Sequence, residues 1–158
     1  MPTSIYGALF NGTEATRTEN YTVVSATSST LTVTASTHSG TLINLSRAAG
    51  IAVTLPNATG TGNVYNFFIG TTVTSNTTTL TRGTAADVMS GVVLQCKAAT
   101  ALTPIPTASN TNTITLDGST KGGILGDWIC LMDIATNQWL LQMVISSTGT
   151  PATPLSNT

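Results

Sequence analysis

The chain has few charged residues. Only 7% of its 158 residues are Asp, Glu, Lys or Arg, against roughly 25% in an average soluble domain. Aromatic residues are also scarce at 5%, although 41% of the residues are hydrophobic. General acid-base catalysis, nucleophile activation and metal binding all depend on ionisable side chains. The composition therefore predicts a rigid, inert structural protein rather than an enzyme, with no catalytic residues and no cofactor.

Basic residues are too few and too dispersed for binding nucleic acid. The net charge is −1, and phosphate neutralisation requires clustered Lys and Arg. No run approaches the roughly 18 apolar residues of a transmembrane helix, and residues 1–4 lack a basic segment leading into an apolar one. We therefore expect neither nucleic acid nor membrane as a partner, and a chain made and kept in a cytoplasm until assembly. The five basic residues are Arg17, Arg47, Arg82, Lys97 and Lys121.

Cysteine and histidine are nearly absent as well. Cys96 and Cys130 each lie in an apolar run, which favours two buried thiols over a disulfide. His38 is the single histidine, and a zinc site needs three or four ligands at a recognisable spacing. The sequence therefore predicts no metal site.

What the chain does contain is a series of short segments with apolar residues at every second position. This period is typical of strands with one buried face. Threonine suits such strands, because its branched β-carbon favours extended backbone while its hydroxyl faces water. The predicted strands include residues 21–24, 31–34, 41–45, 51–55, 64–69 and 113–116.

Later segments add an edge and a hairpin. Residues 97–112 contain Pro104 and Pro106, which do not donate to a sheet ladder and indicate a long loop or an edge segment. Residues 128–134 and 138–145 flank a short turn and predict a hairpin. Very little helix is expected, with residues 46–50 and 84–89 as weak candidates.

These elements predict an all-β fold. An antiparallel β-sandwich of jelly-roll kind accommodates about eight or more short strands, and a smaller tulip-like β-fold is the alternative. The predicted domain spans residues 21–148. It lies between an extended arm at residues 1–20 and an extended, proline-containing tail at residues 149–158.

Several residues invite a catalytic or sugar-binding interpretation. Asp117, Asp127 and Asp133 offer carboxylates for glycoside hydrolysis, but aspartates beside glycines and turns are more often turn formers. Ser39 follows His38 without a nearby acid, which favours an ordinary loop histidine over a triad. Trp128 and Trp139 suit a stacking platform for sugars, yet their apolar neighbours favour core packing.

Two parts of the chain carry a resemblance to a known family. Residues 39–56 and 58–62 form one part, and residues 126–129 with Trp139 and residues 149–154 form the other. In this order they resemble small accessory structural proteins of tailed bacteriophages. The resemblance implies a head decoration, or cement, protein. Such a protein is a homotrimer on the outer capsid surface of the virion, assembled in the host cytoplasm, which bridges neighbouring major capsid subunits.

Within that interpretation the amino-terminal arm is the predicted capsid-binding segment. It carries Ile5, Tyr6, Leu9 and Phe10, which suit it to order on a capsid edge. The alternative is a host-recognition, glycan-binding β-domain of a head fibre or tail. A polysaccharide hydrolase is disfavoured by the shortage of titratable residues.

Overall fold

The computed structural model of the protein describes residues 22–97 and 101–158. These residues contain twelve strands and one short helix. In chain order the elements are β1 (Val23–Ala26), β2 (Thr30–Thr32), α1 (Ala35–His38), β3 (Leu42–Leu45), β4 (Ala52–Thr54), β5 (Val64–Ile69), β6 (Thr78–Thr81), β7 (Val88–Lys97), β8 (Ala101–Pro106), β9 (Thr113–Leu116), β10 (Trp128–Ala135), β11 (Gln138–Ser147) and β12 (Leu155–Ser156).

The strands form two packed sheets. The seven-stranded sheet has the order β1-β3-β5-β10-β11-β7-β8, and the five-stranded sheet has the order β12-β9-β6-β4-β2. Five strand pairs are parallel, namely β1 with β3, β3 with β5, β2 with β4, β4 with β6, and β7 with β11. The other five pairs are antiparallel.

The first six strands alternate between the two sheets. β1, β3 and β5 lie side by side in one sheet, and β2, β4 and β6 lie side by side in the other. Each strand runs parallel to the preceding strand of its own sheet. This segment therefore winds three times between the sheets as a short solenoid of stacked coils. The later strands extend both sheets.

The core lies between the sheets and follows the period of two seen in the sequence. Ile43 pairs with Phe67 across β3 and β5, and Val53 pairs with Leu80 across β4 and β6. All four side chains are 0% exposed. Each such burial contributes about 1.5–3 kcal/mol, so the stacked apolar columns hold the coils together.

The predicted all-β sandwich is confirmed, but its sheets are mixed rather than wholly antiparallel. Winding between two sheets brings successive strands of one sheet into the same direction, which the alternation of apolar residues does not reveal. The jelly-roll connectivity is not confirmed by this strand order. Predicted strands 64–69 and 113–116 coincide with β5 and β9, and β10 and β11 form the predicted hairpin.

The segment between β7 and β9 contains an edge strand, as predicted. β8 pairs with β7 and is the last strand of the seven-stranded sheet. Pro104 and Pro106 fit this position, because an edge strand leaves one row of backbone groups without a ladder partner.

The helical candidates and the tail differ from expectation in detail. Residues 46–50 and 84–89 contain turns, whereas the helix of the described chain is α1, where none was predicted. The segment 149–158 is extended and returns to its own domain. There β12 pairs with β9, and the Arg82 guanidinium donates to the Thr158 carbonyl oxygen at 2.7 Å.

Candidate functional site

The two outer faces of the sandwich differ in chemistry. The outer face of the five-stranded sheet is a threonine surface, in which Thr32, Thr54 and Thr81 are successive register partners across β2, β4 and β6. Thr79 and Thr115 form a second such pair across β6 and β9. All five side chains retain contact with solvent. This sequence therefore uses threonine where a sheet faces water.

The outer face of the seven-stranded sheet is apolar instead. Trp128 is the register partner of both Phe68 on β5 and Val144 on β11. The pairing continues outward from Val144 to Leu94 on β7 and to Pro104 on β8. We call this surface the apolar face and define it by Val64, Phe68, Val92, Leu94, Leu102, Pro104, Trp128, Cys130, Met132, Leu140 and Val144, all half-buried or exposed.

The apolar face is an exposed surface and not part of the core. Val92, Val144 and Leu102 are 41%, 44% and 60% exposed, respectively. The outward positions of β5, β7, β8, β10 and β11 hold no charged residue, and their polar members are uncharged side chains such as Asn66 and Gln142. Large exposed apolar patches mark interaction sites, so this face is the candidate interaction surface.

A groove of about 360 Å³ crosses the middle of the apolar face. Trp128 and Val144 line one part of it, Val92 and Leu94 another, and the exposed Gln142 supplies a polar group. Gly91 on β7 allows the strands below the groove to approach closely, because a Cβ at this residue would overlap the carbonyl oxygen of Leu141.

Asp133, one of the three candidate carboxylates, is bound by a neighbouring loop. Its oxygens accept hydrogen bonds from the backbone N–H groups of Thr59, Gly60 and Thr61 at 2.9, 2.6 and 3.0 Å, and from the Thr61 hydroxyl at 2.6 Å. Burial opposes ionisation, but the hydrogen bonds from Thr61, Gly60 and Thr59 outweigh it and lower the pKa of Asp133. The carboxylate fastens the loop to β10.

Asp127 is held in the same way at the start of β10. It accepts hydrogen bonds from the backbone N–H groups of Gly123, Ile124 and Ser146 at 2.8, 3.0 and 2.7 Å. Here burial dominates and raises the pKa of Asp127. The two carboxylates lie at opposite ends of β10, about 20 Å apart at 3.3 Å per residue, which is too far for a glycosidase pair.

Asp117 closes a third turn. It accepts hydrogen bonds from the Thr120 hydroxyl at 2.6 Å and from the backbone of Ser119 and Lys121 at 2.8 and 2.9 Å. Burial raises its pKa, but these hydrogen bonds outweigh the effect, so the pKa of Asp117 is lowered. The interpretation as turn formers fits Asp117 and Asp127, whereas Asp133 lies within β10 and binds a loop that is distant in sequence.

The serine and histidine do not form a catalytic pair. The His38 ring is buried and its Nδ1 lies 3.0 Å from the backbone nitrogen of Thr34, which donates to it. The Ser39 hydroxyl donates instead to Asn63 Oδ1 at 2.9 Å. Their contacts are structural.

The two tryptophans have different environments. Trp139 is 0% exposed and meets Tyr65 edge to face, with ring centroids 5.7 Å apart, so its predicted core role is confirmed. The same prediction is wrong for Trp128, which lies half-buried on the apolar face and lines the groove. Trp128 occupies an outward position of β10 because its neighbour Ile129 points into the core.

Both cysteines are free thiols, as predicted, but neither is fully buried. Cys96 is exposed and Cys130 is half-buried on the apolar face. Partial burial raises the pKa of the Cys130 thiol. The prediction of two buried thiols is therefore wrong, because each apolar run around a cysteine belongs to a strand with one face outside the core.

Two further features concern the described residues alone. Their His, Cys, Asp and Glu side chains form no group of three that suits a metal ion. None of their helices has the length and apolar character needed to cross a bilayer. The predicted capsid-binding residues Ile5, Tyr6, Leu9 and Phe10 lie outside the described part of the chain and remain a prediction.

The sequence alone does not say which face of the domain carries an apolar patch, although it contains a signal that some strands are covered on both sides. Residues 64–69 and 128–132 are apolar at both odd and even positions, a pattern typical of strands covered on both faces. No protein-family model, curated protein or solved structure matches the chain.

Proposed function

We propose that the protein is a decoration, or cement, protein of a tailed-bacteriophage head. In this role it binds the outside of the shell as a homotrimer and bridges neighbouring major capsid subunits. Separating two capsid subunits then requires breaking the interfaces with the decoration protein as well. The bridge would strengthen the head against the outward pressure of packaged DNA.

The observation that carries this proposal is the difference between the two outer faces. The threonine surface suits contact with solvent, whereas the apolar face suits permanent burial against other protein. A protein that coats a shell needs both kinds of surface on one rigid body. The sandwich supplies them on opposite sides, with side chains that carry no charge at the outward positions of the apolar face.

The capsid contact is assigned to the amino-terminal arm. Ile5, Tyr6, Leu9 and Phe10 give it four apolar side chains within six positions. The chain becomes part of the fold at β1, the edge strand of the seven-stranded sheet. An extended segment of about 20 residues spans up to about 70 Å, which is long enough to cross onto a neighbouring capsid subunit.

The proposal is tested on heads assembled without this chain. We expect them to release DNA at a lower temperature than complete heads, and purified protein added back should restore the release temperature. A variant with Ile5, Tyr6, Leu9 and Phe10 all changed to Ser should fold normally and fail to restore it. Heads that are equally stable with and without the protein would contradict a cementing role.

One observation favours a second candidate, a glycan-binding domain for host recognition. Trp128 is half-buried and lines the groove together with Gln142, and a partly exposed ring with a hydrogen-bonding group in the same groove suits a sugar. A glycan array tests this function. Binding that is lost in Trp128→Ala would support host recognition, whereas the cement function predicts no glycan binding.

A further inference from the structure

We propose that the apolar face is the surface through which copies of this chain bind one another. The number of copies, three, rests on the proposed function, whereas the choice of surface rests on the structure. The occupant of the face is thus a second copy of the chain, with the capsid contact left to the amino-terminal arm.

Charge is the first argument for a second copy. The outward positions of β5, β7, β8, β10 and β11 hold no Asp, Glu, Lys or Arg. Such a face is complementary to itself, because two copies meet without burying an unpaired charge. It also lacks the charged groups that would select an oppositely charged partner. Interfaces between permanently associated copies have this apolar character.

Size is the second argument. Five strands contribute to the face. With about 4.8 Å between strands and 3.3 Å per residue, the projected area of the face is roughly 600 Å². The accessible area of projecting side chains exceeds the projected area, so the face as a whole offers roughly the 800 Å² per partner of a stable interface, and a trimer divides this area between two neighbouring copies. A single extended segment is about one strand wide. A second copy of the chain, rather than a single extended segment, therefore has the width to cover the face.

Symmetry defines how a trimer uses this surface. In a closed ring of three, each copy presents one patch to one neighbour and a different patch to the other. The apolar face provides two such patches, one on β5 and β10 with Phe68 and Met132, and one on β11, β7 and β8 with Val144 and Leu102. The three faces then point toward the threefold axis, and the threonine surfaces point away from it.

The test is a variant that gives the apolar face the chemistry of the threonine surface. Val92→Thr, Leu140→Thr and Val144→Thr keep strand-forming side chains on β7 and β11. We expect the wild-type protein, measured without capsid by sedimentation equilibrium, to have three times the 16.2 kDa protomer mass. The triple variant should sediment as a monomer with the circular dichroism of a folded chain. The matched control, Thr32→Ser with Thr54→Ser on the opposite face, should remain a trimer.

The alkylation rate of Cys130 tests the same interface in the wild-type protein, so this test does not depend on whether a variant folds. It lies within the apolar face, so association should slow its alkylation. We expect alkylation of Cys130 in the wild-type protein to be about tenfold slower or more in concentrated solution than after dilution below the association range. Equal rates while the mass changes on dilution would contradict this interface.

The outcomes separate this inference from the proposed function. A wild-type chain that is monomeric in solution, or a triple variant that remains associated, overturns this choice of surface, whereas a dimer would contradict the number of copies, which rests on the proposed function. Neither result changes the effect of added protein on head stability, which tests cementing independently. Loss of cementing with an intact trimer would instead overturn the proposed function and leave this interface in place.

Discussion

At the scale of single residues, carboxylates hold the connections of this sandwich in place. Asp133 accepts hydrogen bonds from three backbone N–H groups and two threonine hydroxyls of residues 59–61, which precede it by more than 70 positions. Its side chain is 3% exposed. Such a carboxylate replaces the backbone partners that the loop lacks, so an acid within a strand holds a distant loop in place.

Asp133→Asn tests this role through pH. Because hydrogen bonds lower the folded pKa of Asp133, the ionised side chain stabilises the fold above its unfolded pKa of about 3.9, and that contribution is lost as the pH falls through the folded pKa. We expect the variant to lose about 2–3 kcal/mol of unfolding free energy at pH 7. Urea titrations should show the two proteins converging as the pH falls below about 3.9. Asp127 is present in both proteins, so a pH-dependent difference in unfolding free energy reports on Asp133. A difference that stays the same at all pH values would contradict the assignment.

Gly91 is required by close approach of two strands. A Cβ there would overlap the carbonyl oxygen of Leu141, which lies directly opposite in the parallel β7–β11 pair. Gly91→Ala should lower the unfolding free energy by about 1–3 kcal/mol. Ser90→Ala, at an exposed neighbouring position, should change it by less than about 0.5 kcal/mol. Equal effects in thermal unfolding would contradict the proposed overlap.

At the scale of elements, the stacked coils place chemically similar positions in very different environments. Val53 on β4 lies between Leu31 and Leu80 in the core, whereas Val23 on β1 is 56% exposed at the sheet edge. Val53→Ala should cost about 2 kcal/mol of unfolding free energy, and Val23→Ala less than about 0.5 kcal/mol. Chemical denaturation of the two variants measures both. Similar losses would mean that the coils do not stack as described.

Much of the strand content was predictable, but the pairing was not. The pattern of short apolar segments between turn residues marked β5, β9 and the β10–β11 hairpin. It does not specify which strand lies alongside or in which direction, so the parallel coils were missed. The continuous apolar residues at 128–132 indicate a strand that is covered on both faces. They do not indicate which protein surface covers its outer face. The hydrogen-bond donors to Asp133 could not be predicted, because residues 59–61 are distant from it in the sequence.

At the scale of the whole molecule, the two faces of the sandwich divide its tasks. The threonine surface contacts solvent without charge, and the apolar face is the interface that we propose. A rigid body with these two sides is suited to coating a shell. The residues predicted to bind the capsid precede β1, which is an edge strand of the sheet that carries the apolar face.

The absence of charge on the apolar face predicts how association responds to salt. Interfaces held by ion pairs weaken as ionic strength rises, because salt screens exposed charges. We expect the trimer to be insensitive to sodium chloride and to be strengthened by sulfate, which favours burial of apolar surface. Sedimentation equilibrium across a salt series measures this. Dissociation at high sodium chloride would contradict an apolar interface.

The most direct measurement is a cryo-electron microscopy reconstruction of the virion that carries this protein. We predict trimeric density at the local threefold positions of the outer shell. The apolar faces should point toward each threefold axis, and arms containing Ile5, Tyr6, Leu9 and Phe10 should reach between capsid subunits. Density confined to one vertex, a fibre or the tail, or absent from the virion, would contradict the cement function.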